Sequence, residues 1–191
     1  MSAFSIALRY SEAMPQRQTS SDVPYLWLLS DRRNDAVLED ALAALPARSG
    51  FVFRHYHLKE AERRQRFNDL ARIARDHHHL VVLSRAQGWG EDGSYGASPP
   101  PGAGQWFATA HDRTEIAEAA RHRAAAIFLS PVFATSSHPG AETLGPKRFR
   151  DLAEGSPVPI IALGGMTAER ADTLGWPRWG AIDGLSPSKL P

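Results

Sequence analysis

The feature that most constrains this chain is an alternation. Short apolar runs that stop at polar residues are repeatedly separated by stretches with helical apolar spacing. Runs at Tyr25 to Leu29, Gly50 to Phe53, Leu80 to Leu83, Trp106 to Ala108, Ala125 to Leu129, Val158 to Leu163 and Trp179 to Ile182 read as buried strands. A weak eighth strand is expected near Tyr95. Between them, helices are expected from Asn34 as N-cap to Leu45, from Lys59 to Asp76, from Asp112 to Arg123, from Pro146 to Ala153 and from Thr167 to Leu174. Strict βα alternation implies parallel strands with right-handed crossovers. Eight units favour a small closed α/β barrel of the (β/α)8 TIM type, with an open doubly wound sheet as the alternative. One βα unit, around residues 86–104, is irregular, because that stretch is too rich in Gly and Pro for a normal helix. It reads as a long loop replacing a helix, or as a substrate lid.

Bulk properties narrow the classes. At 191 residues the chain suits one domain, expected over 24–191, after a polar, flexible lead-in at 1–23. A formal charge of +1 gives no argument for nucleic acid or an acidic membrane. No apolar run approaches the ~20 residues of a membrane span. The absence of cysteine removes disulfides, thiolate metal sites and a cysteine nucleophile, and suits a reducing cytoplasm. A homo-oligomer is left open.

In a barrel, chemistry gathers where strands end. Ser30-Asp31, Arg54-His55, Ser84-Arg85, Thr109 with His111, the loop at 130–141, Gly164-Gly165-Met166-Thr167 and Asp183-Gly184 occupy those places. Gly164-Gly165, followed by a helix opening at Thr167, reads as a phosphate cup, since glycines let backbone N–H groups approach an anion and a helix N-terminus favours it. The bland alternative is a tight turn with Thr167 as a plain N-cap. Thr135, Ser136, Ser137 and His138 offer three hydroxyls and an imidazole within four residues, suited to phosphate oxygens or simply to solvent. His77-His78-His79 fall at the opposite end and read as a surface linker rather than a metal site. Arg63, Arg64 and Arg66 read as a solvated helix face.

From Thr109 to Thr167 the chain carries T-A-H-D, an E-x-x-E-A-A helix, S-P-V-F-A-T-S-S-H-P-G-A, L-G-P and I-A-L-G-G-M-T, preceded by L-W-L-L-S-D and F-R-H at the first two strands. This ordered set resembles the thiamine-phosphate synthase/TenI family over about residues 24–186, most strongly in the second half. The resemblance implies a (β/α)8 barrel joining a pyrimidine pyrophosphate to a thiazole phosphate with Mg²⁺. It implies a phosphorylated small-molecule partner, a thiazole phosphate or thiamine phosphate. Gly164 and Gly165 would hold the phosphate, Thr135 and Ser137 match the family's hydroxyl pair, Thr109 its small hydroxyl residue, and Arg54 the arginine of its Gln-x-Arg-x-Lys motif. Asp183 and Gly184 stand beside the phosphate, Asp183 where the family has a small residue.

The same resemblance exposes departures. Val52 and Tyr56 stand for Gln and Lys, His138 for a lysine, and Leu83-Ser84 for an Asn-Asp pair. The aspartate expected after strand four has no counterpart, and Pro131 stands where related tautomerases carry a histidine. Carboxylates that would bind Mg²⁺ are therefore missing. A divergent synthase, a catalytically silent binder of a phosphorylated ligand, and another phosphosubstrate enzyme remain as readings. His138 and His111 are the candidate replacement acids or bases, beside Arg54, because imidazole titrates near neutral pH.

Overall fold

The computed structural model describes residues 23–101, 104–137, 140 and 142–185. Eight parallel strands close into a barrel in sequence order. They are β1 (Leu26–Leu29), β2 (Gly50–Phe53), β3 (Leu80–Ser84), β4 (Gly93–Gly96), β5 (Gln105–Ala110), β6 (Ala126–Leu129), β7 (Ile160–Ala162) and β8 (Trp179–Ala181). Pairing of Trp27 with Gly180 seals the ring between β1 and β8. The described helices are α1 (Leu38–Ala44), α2 (Glu60–Asp76), α3 (Arg113–Arg121), α4 (Gly145–Ala153) and α5 (Ala168–Leu174). β4 divides the Gly/Pro-rich stretch in two. Neither the connection before it nor the described part of the one after it carries a helix. The lead-in expected at 1–23 lies outside the described residues except for Val23, which is half-buried against the barrel interior. Among the described residues no helix is long and apolar enough to cross a membrane.

Alternation along each strand sorts the apolar residues into two cores. Trp27, Leu29, Val52, Val82, Phe107, Phe128 and Ile161 fill the interior. Leu28, Phe51, Phe53, Val81, Leu83, Ile127 and Ile160 face the helices. Bulk and absence of bulk are matched across strands. A Cβ on Gly50 would meet the Trp27 ring at 2.2 Å, and one on Gly93 would meet Phe107 at 2.9 Å. Trp27 thus fills space that its paired neighbour vacates, with its Nε1 donating to the Pro24 carbonyl at 2.8 Å.

Several polar residues behave differently from their sequence reading. Asn34 makes no side-chain cap, and a 3-10 turn (Asp35–Val37) precedes α1. Its amide instead accepts from the Asp31 N–H and donates to the Leu29 and Ile182 carbonyls, pinning the β1 and β8 ends together. Arg63 and Arg66 do not form a solvated face: Arg63 is 7 % exposed, and Arg66 is bound to Asp35 and Glu39. His79 is no surface linker either; it is buried, with Nε2 at 2.9 Å from the Leu42 carbonyl. In each case the partner lies on another element, so no local pattern announces it.

Burial of two imidazoles has a consequence for stability. Burial pushes His79 below its ordinary 6.5, against the hydrogen bond to Leu42. It does the same to His55, against the opposing effect of Asp35. The unfolded chain takes up protons near pH 6.5 while the folded chain resists them to lower pH. Stability is therefore full above that value and falls as the pH drops toward the depressed folded values. The urea midpoint is expected to fall between about pH 7.5 and about pH 5.5, and to fall less in His79→Gln, which keeps a donor for Leu42 without a titrating group. An unchanged pH dependence in that variant would exclude His79 as a source.

Candidate functional site

The strand ends form a mouth in which arginines and carboxylates alternate. Arg54, just past β2, donates from Nη2 to Asp31 Oδ2 at 2.8 Å. Asp31 Oδ1 in turn receives Arg33 Nε at 3.0 Å. Burial raises the Asp31 carboxyl, but hydrogen bonds from Arg33 and the charges of Arg33 and Arg54 outweigh it and hold the group below 3.8. Arg33 then reaches across the mouth, with Nη1 3.1 Å from Asp183 Oδ2 and Nη2 2.8 Å from Ser137 Oγ. One guanidinium thereby joins the segment after β1 to the loops after β6 and β8. It brings two of the residues singled out in the sequence, Ser137 and Asp183, into one network.

The β2 end is built by a second arginine. Arg63 of α2 donates from Nε to the Arg54 carbonyl at 2.9 Å and from Nη2 to the Ser84 carbonyl at 2.5 Å. Its guanidinium lies over the rings of Phe53 and Trp89, 5.6 and 5.2 Å from their centroids. Burial lowers its pKa, yet a guanidinium stays charged in a protein. Tyr56 is bonded to Ser84 Oγ at 2.6 Å. Arg85 and Arg54 lie over its ring at 4.7 and 5.8 Å. Positive charge at this edge is supplied by arginines arranged about an aromatic ring. Beneath them, burial pushes the Tyr95 phenol up to about 12 despite the neighbouring Arg54, so Tyr95 is a neutral donor at physiological pH.

Beside this edge, His55 adopts φ of +37° and is fully enclosed. Nδ1 is 2.8 Å from Ser30 Oγ and Nε2 is 2.8 Å from Asp35 Oδ1. Ser30 Oγ also accepts the Arg54 N–H at 2.8 Å. The strained backbone is held by these fixed bonds. Their effect is to orient the Arg54 backbone, since Ser30 and His55 are buried. A pocket of about 180 Å³ opens here between Asp31, Arg54 and Tyr56.

The remaining candidates fall into place on the same rim. Thr109 is half-buried near the end of β5, in register with Phe128. Thr135 Oγ1 accepts the Ser137 N–H at 3.3 Å, which shapes the β6 loop. Gly164 and Gly165 have φ of +92° and +62°. Their missing Cβ atoms answer to protein: Cβ at Gly164 would meet Pro131 at 2.7 Å, and at Gly165 the Ala134 carbonyl at 2.4 Å. The β6 loop thus rests on the Gly-Gly turn, with Phe133 N–H bonded to the Gly164 carbonyl. Gly184 packs just as closely on the Met166 carbonyl. Thr167 caps α5 by accepting the Arg170 N–H. His111 is exposed, with Nδ1 2.8 Å from Glu115 of its own helix. His138 lies outside the described residues. Arg33 was not singled out from sequence, Asp31 was named only as a strand-end residue, Tyr95 only as a strand position and Arg63 only as part of a helix face; the bonds of Arg33 to Ser137 and of Arg63 to Ser84 link segments distant in the chain.

The donor set does not suit Mg²⁺. Both carboxylates described at the mouth, Asp31 and Asp183, are bound to arginines. Among the described residues no group of three or more His, Asp or Glu is arranged to hold a metal.

Comparison with known proteins adds an independent line. Residues 108–175 match the family model described as thiamine monophosphate synthase. Over 62 residues the chain is 40% identical to a putative thiamine-phosphate synthase 2 of Aquifex aeolicus (strain VF5), covering 32% of this chain and 33% of that relative. The match thus spans a third of the relative's length. A thiamine phosphate pyrophosphorylase from Pyrococcus furiosus superposes with a TM-score of 0.71 at 18% identity, over 86% of this chain and 88% of that one. A citrate synthase variant gives a TM-score of 0.57 at 12% identity, over 93% and 90%. At such identities the structural likenesses establish the barrel alone. The family's sequence pattern thus runs from the end of β5 through α5 on that barrel, and over this stretch the chain is similar to the thiamine-phosphate synthase/TenI family.

Proposed function

We propose that the chain binds a phosphorylated thiazole or thiamine phosphate at the barrel mouth and is a weak synthase or a silent binder. The observation that carries this reading is the Arg33 bridge. It gathers Ser137 and Asp183 beside Arg54, on the rim that also holds the Gly164-Gly165 turn. Guanidinium groups match phosphate oxygens in geometry as well as charge. Hydroxyls of Thr135 and Ser137 add acceptor-matched donors.

What these residues do in turnover follows from the same contacts. Arg54 and Arg33 orient an anionic group, and the phenol of Tyr95 beside Arg54 stays neutral. Departure of pyrophosphate, however, needs its developing charge neutralised at the moment of bond breaking. With the described carboxylates held by arginine, that task falls to guanidinium groups alone. His111 is turned toward Glu115. The reading of another enzyme using His111 or His138 gains nothing from that contact.

Calorimetry with thiamine phosphate and with thiamine tests binding. The phosphate ester is expected to bind at least about tenfold tighter, the worth of one well-placed charge-assisted contact. Equal affinity would sink the phosphate site. Thiamine phosphate formation from both precursors with Mg²⁺ tests chemistry. Slow or absent turnover is expected, and turnover comparable with an intact family member would overturn the weak-synthase reading. If robust turnover disappears in His138→Ala but not in His111→Ala, a substituted acid in the β6 loop explains it.

A further inference from the structure

We propose that Asp183 is an internal anion that competes with an incoming phosphate for Arg33, so that this pair sets anion affinity at the mouth. The inference rests on the phosphate-binding reading above and names the residues that tune it. Arg33 engages all three side-chain nitrogens within the protein: Nε with Asp31, Nη1 with Asp183 and Nη2 with Ser137. Its partners come from its own turn and from the segments after β8 and β6. A carboxylate presents to a guanidinium fork the same paired oxygens as a phosphate does. Asp183 therefore occupies Nη1 of Arg33, a donor that an oxygen of a ligand's phosphate could take instead.

Charge balance points the same way. In the chain Arg54–Asp31–Arg33–Asp183 each carboxylate occupies a guanidinium that a dianion would otherwise meet. The two carboxylates are not equivalent. Asp31 lies between both arginines and is 24 % exposed, so its removal would leave Arg54 and Arg33 facing each other. Asp183 meets Arg33 from the outer edge and is 44 % exposed, so of the two it is the carboxylate that an incoming anion reaches first. Its neighbour Gly184 packs on the Met166 carbonyl, immediately beyond Gly164-Gly165. A phosphate that displaces Asp183 is thus received between the Gly-Gly turn and Ser137, with Arg33 already in place. Arg33 acts as a preorganised donor whose availability Asp183 controls.

Titration of the full chain with inorganic phosphate and with thiamine phosphate at low ionic strength tests this. Asp183→Asn keeps the shape and removes the charge. It is expected to bind both probes about fivefold tighter than the unmodified protein, the effect of one unit charge about 4 Å away in a nearly water-like medium. Asp183→Ser is a second variant with the same expectation. Adding Arg33→Ala to either should abolish the gain. A role in ordering the loop alone predicts weaker binding on its loss, and plain like-charge repulsion predicts a gain that does not depend on Arg33. Unchanged or weaker binding by both variants, with the unmodified protein still binding, would overturn the competition and leave the phosphate-binding reading intact. A gain that survives Arg33→Ala would overturn Arg33 as the contested donor. Failure of all forms to bind either probe would overturn both readings. Binding by the variants alone would support the competition.

Discussion

Arg63→Ala is expected to lower stability by about 3 kcal/mol, a large share of a margin of about 5–15 kcal/mol for a domain of this kind. The side chain is buried, and both of its described hydrogen bonds go to backbone carbonyls at strand ends, Arg54 after β2 and Ser84 at the end of β3. Truncation leaves those two carbonyls without their donor and removes the guanidinium that lies over the rings of Phe53 and Trp89, together with its buried stem. Arg63→Met separates the two effects, because it keeps the stem and loses only the donors. It is expected to cost less than Ala and still to loosen the rim. Urea denaturation of the three proteins checks the order. A loss below about 1 kcal/mol for Ala would mean that water replaces the guanidinium, and that the helix face is solvated after all.

Gly165→Asp is expected to reduce thiamine phosphate affinity by more than about tenfold, and Gly165→Ala by nearly as much. The reason differs from the one that sequence suggests. An added carboxylate near a phosphate is unfavourable in itself, but the larger effect is steric. At φ of +62° a Cβ would lie 2.4 Å from the Ala134 carbonyl and 3.0 Å from Phe133 Cβ. The β6 loop must lift, and with it the hydroxyls of Thr135 and Ser137 leave their positions relative to Arg33. If Ala is tolerated and only Asp abolishes binding, charge is the cause and the loop is free to yield. If both bind normally, the Gly-Gly turn is no part of the site.

Much of the architecture was legible along the chain because its causes are local. A run such as Ala126–Leu129 is apolar on both faces because a parallel strand is covered on both. The stripe of Phe67, Leu70 and Ala74 announces the buried face of α2. Asp112 and Thr167 were readable as caps, since a cap bonds three residues away in its own chain segment. The ordered pieces from Thr109 to Thr167 carried the family resemblance for the same reason, as contiguous loops and helix starts.

What tertiary structure alone decided concerns long polar side chains. Nothing near Arg33 in sequence marks its bond to Ser137, 104 residues away. Arg63 and Arg66 sit on a charged helix like any solvated one, yet the first is buried among aromatic rings and strand-end carbonyls and the second is tied to Asp35 and Glu39. Asn34 has a helix-capping residue type in a capping position and was taken by the β1 and β8 ends instead. An apolar residue declares its environment by its spacing, because burial is non-directional and one face serves all. A guanidinium or an amide is satisfied by whichever acceptor the fold brings within hydrogen-bond reach, and closure of the barrel from β1 to β8 chose those acceptors.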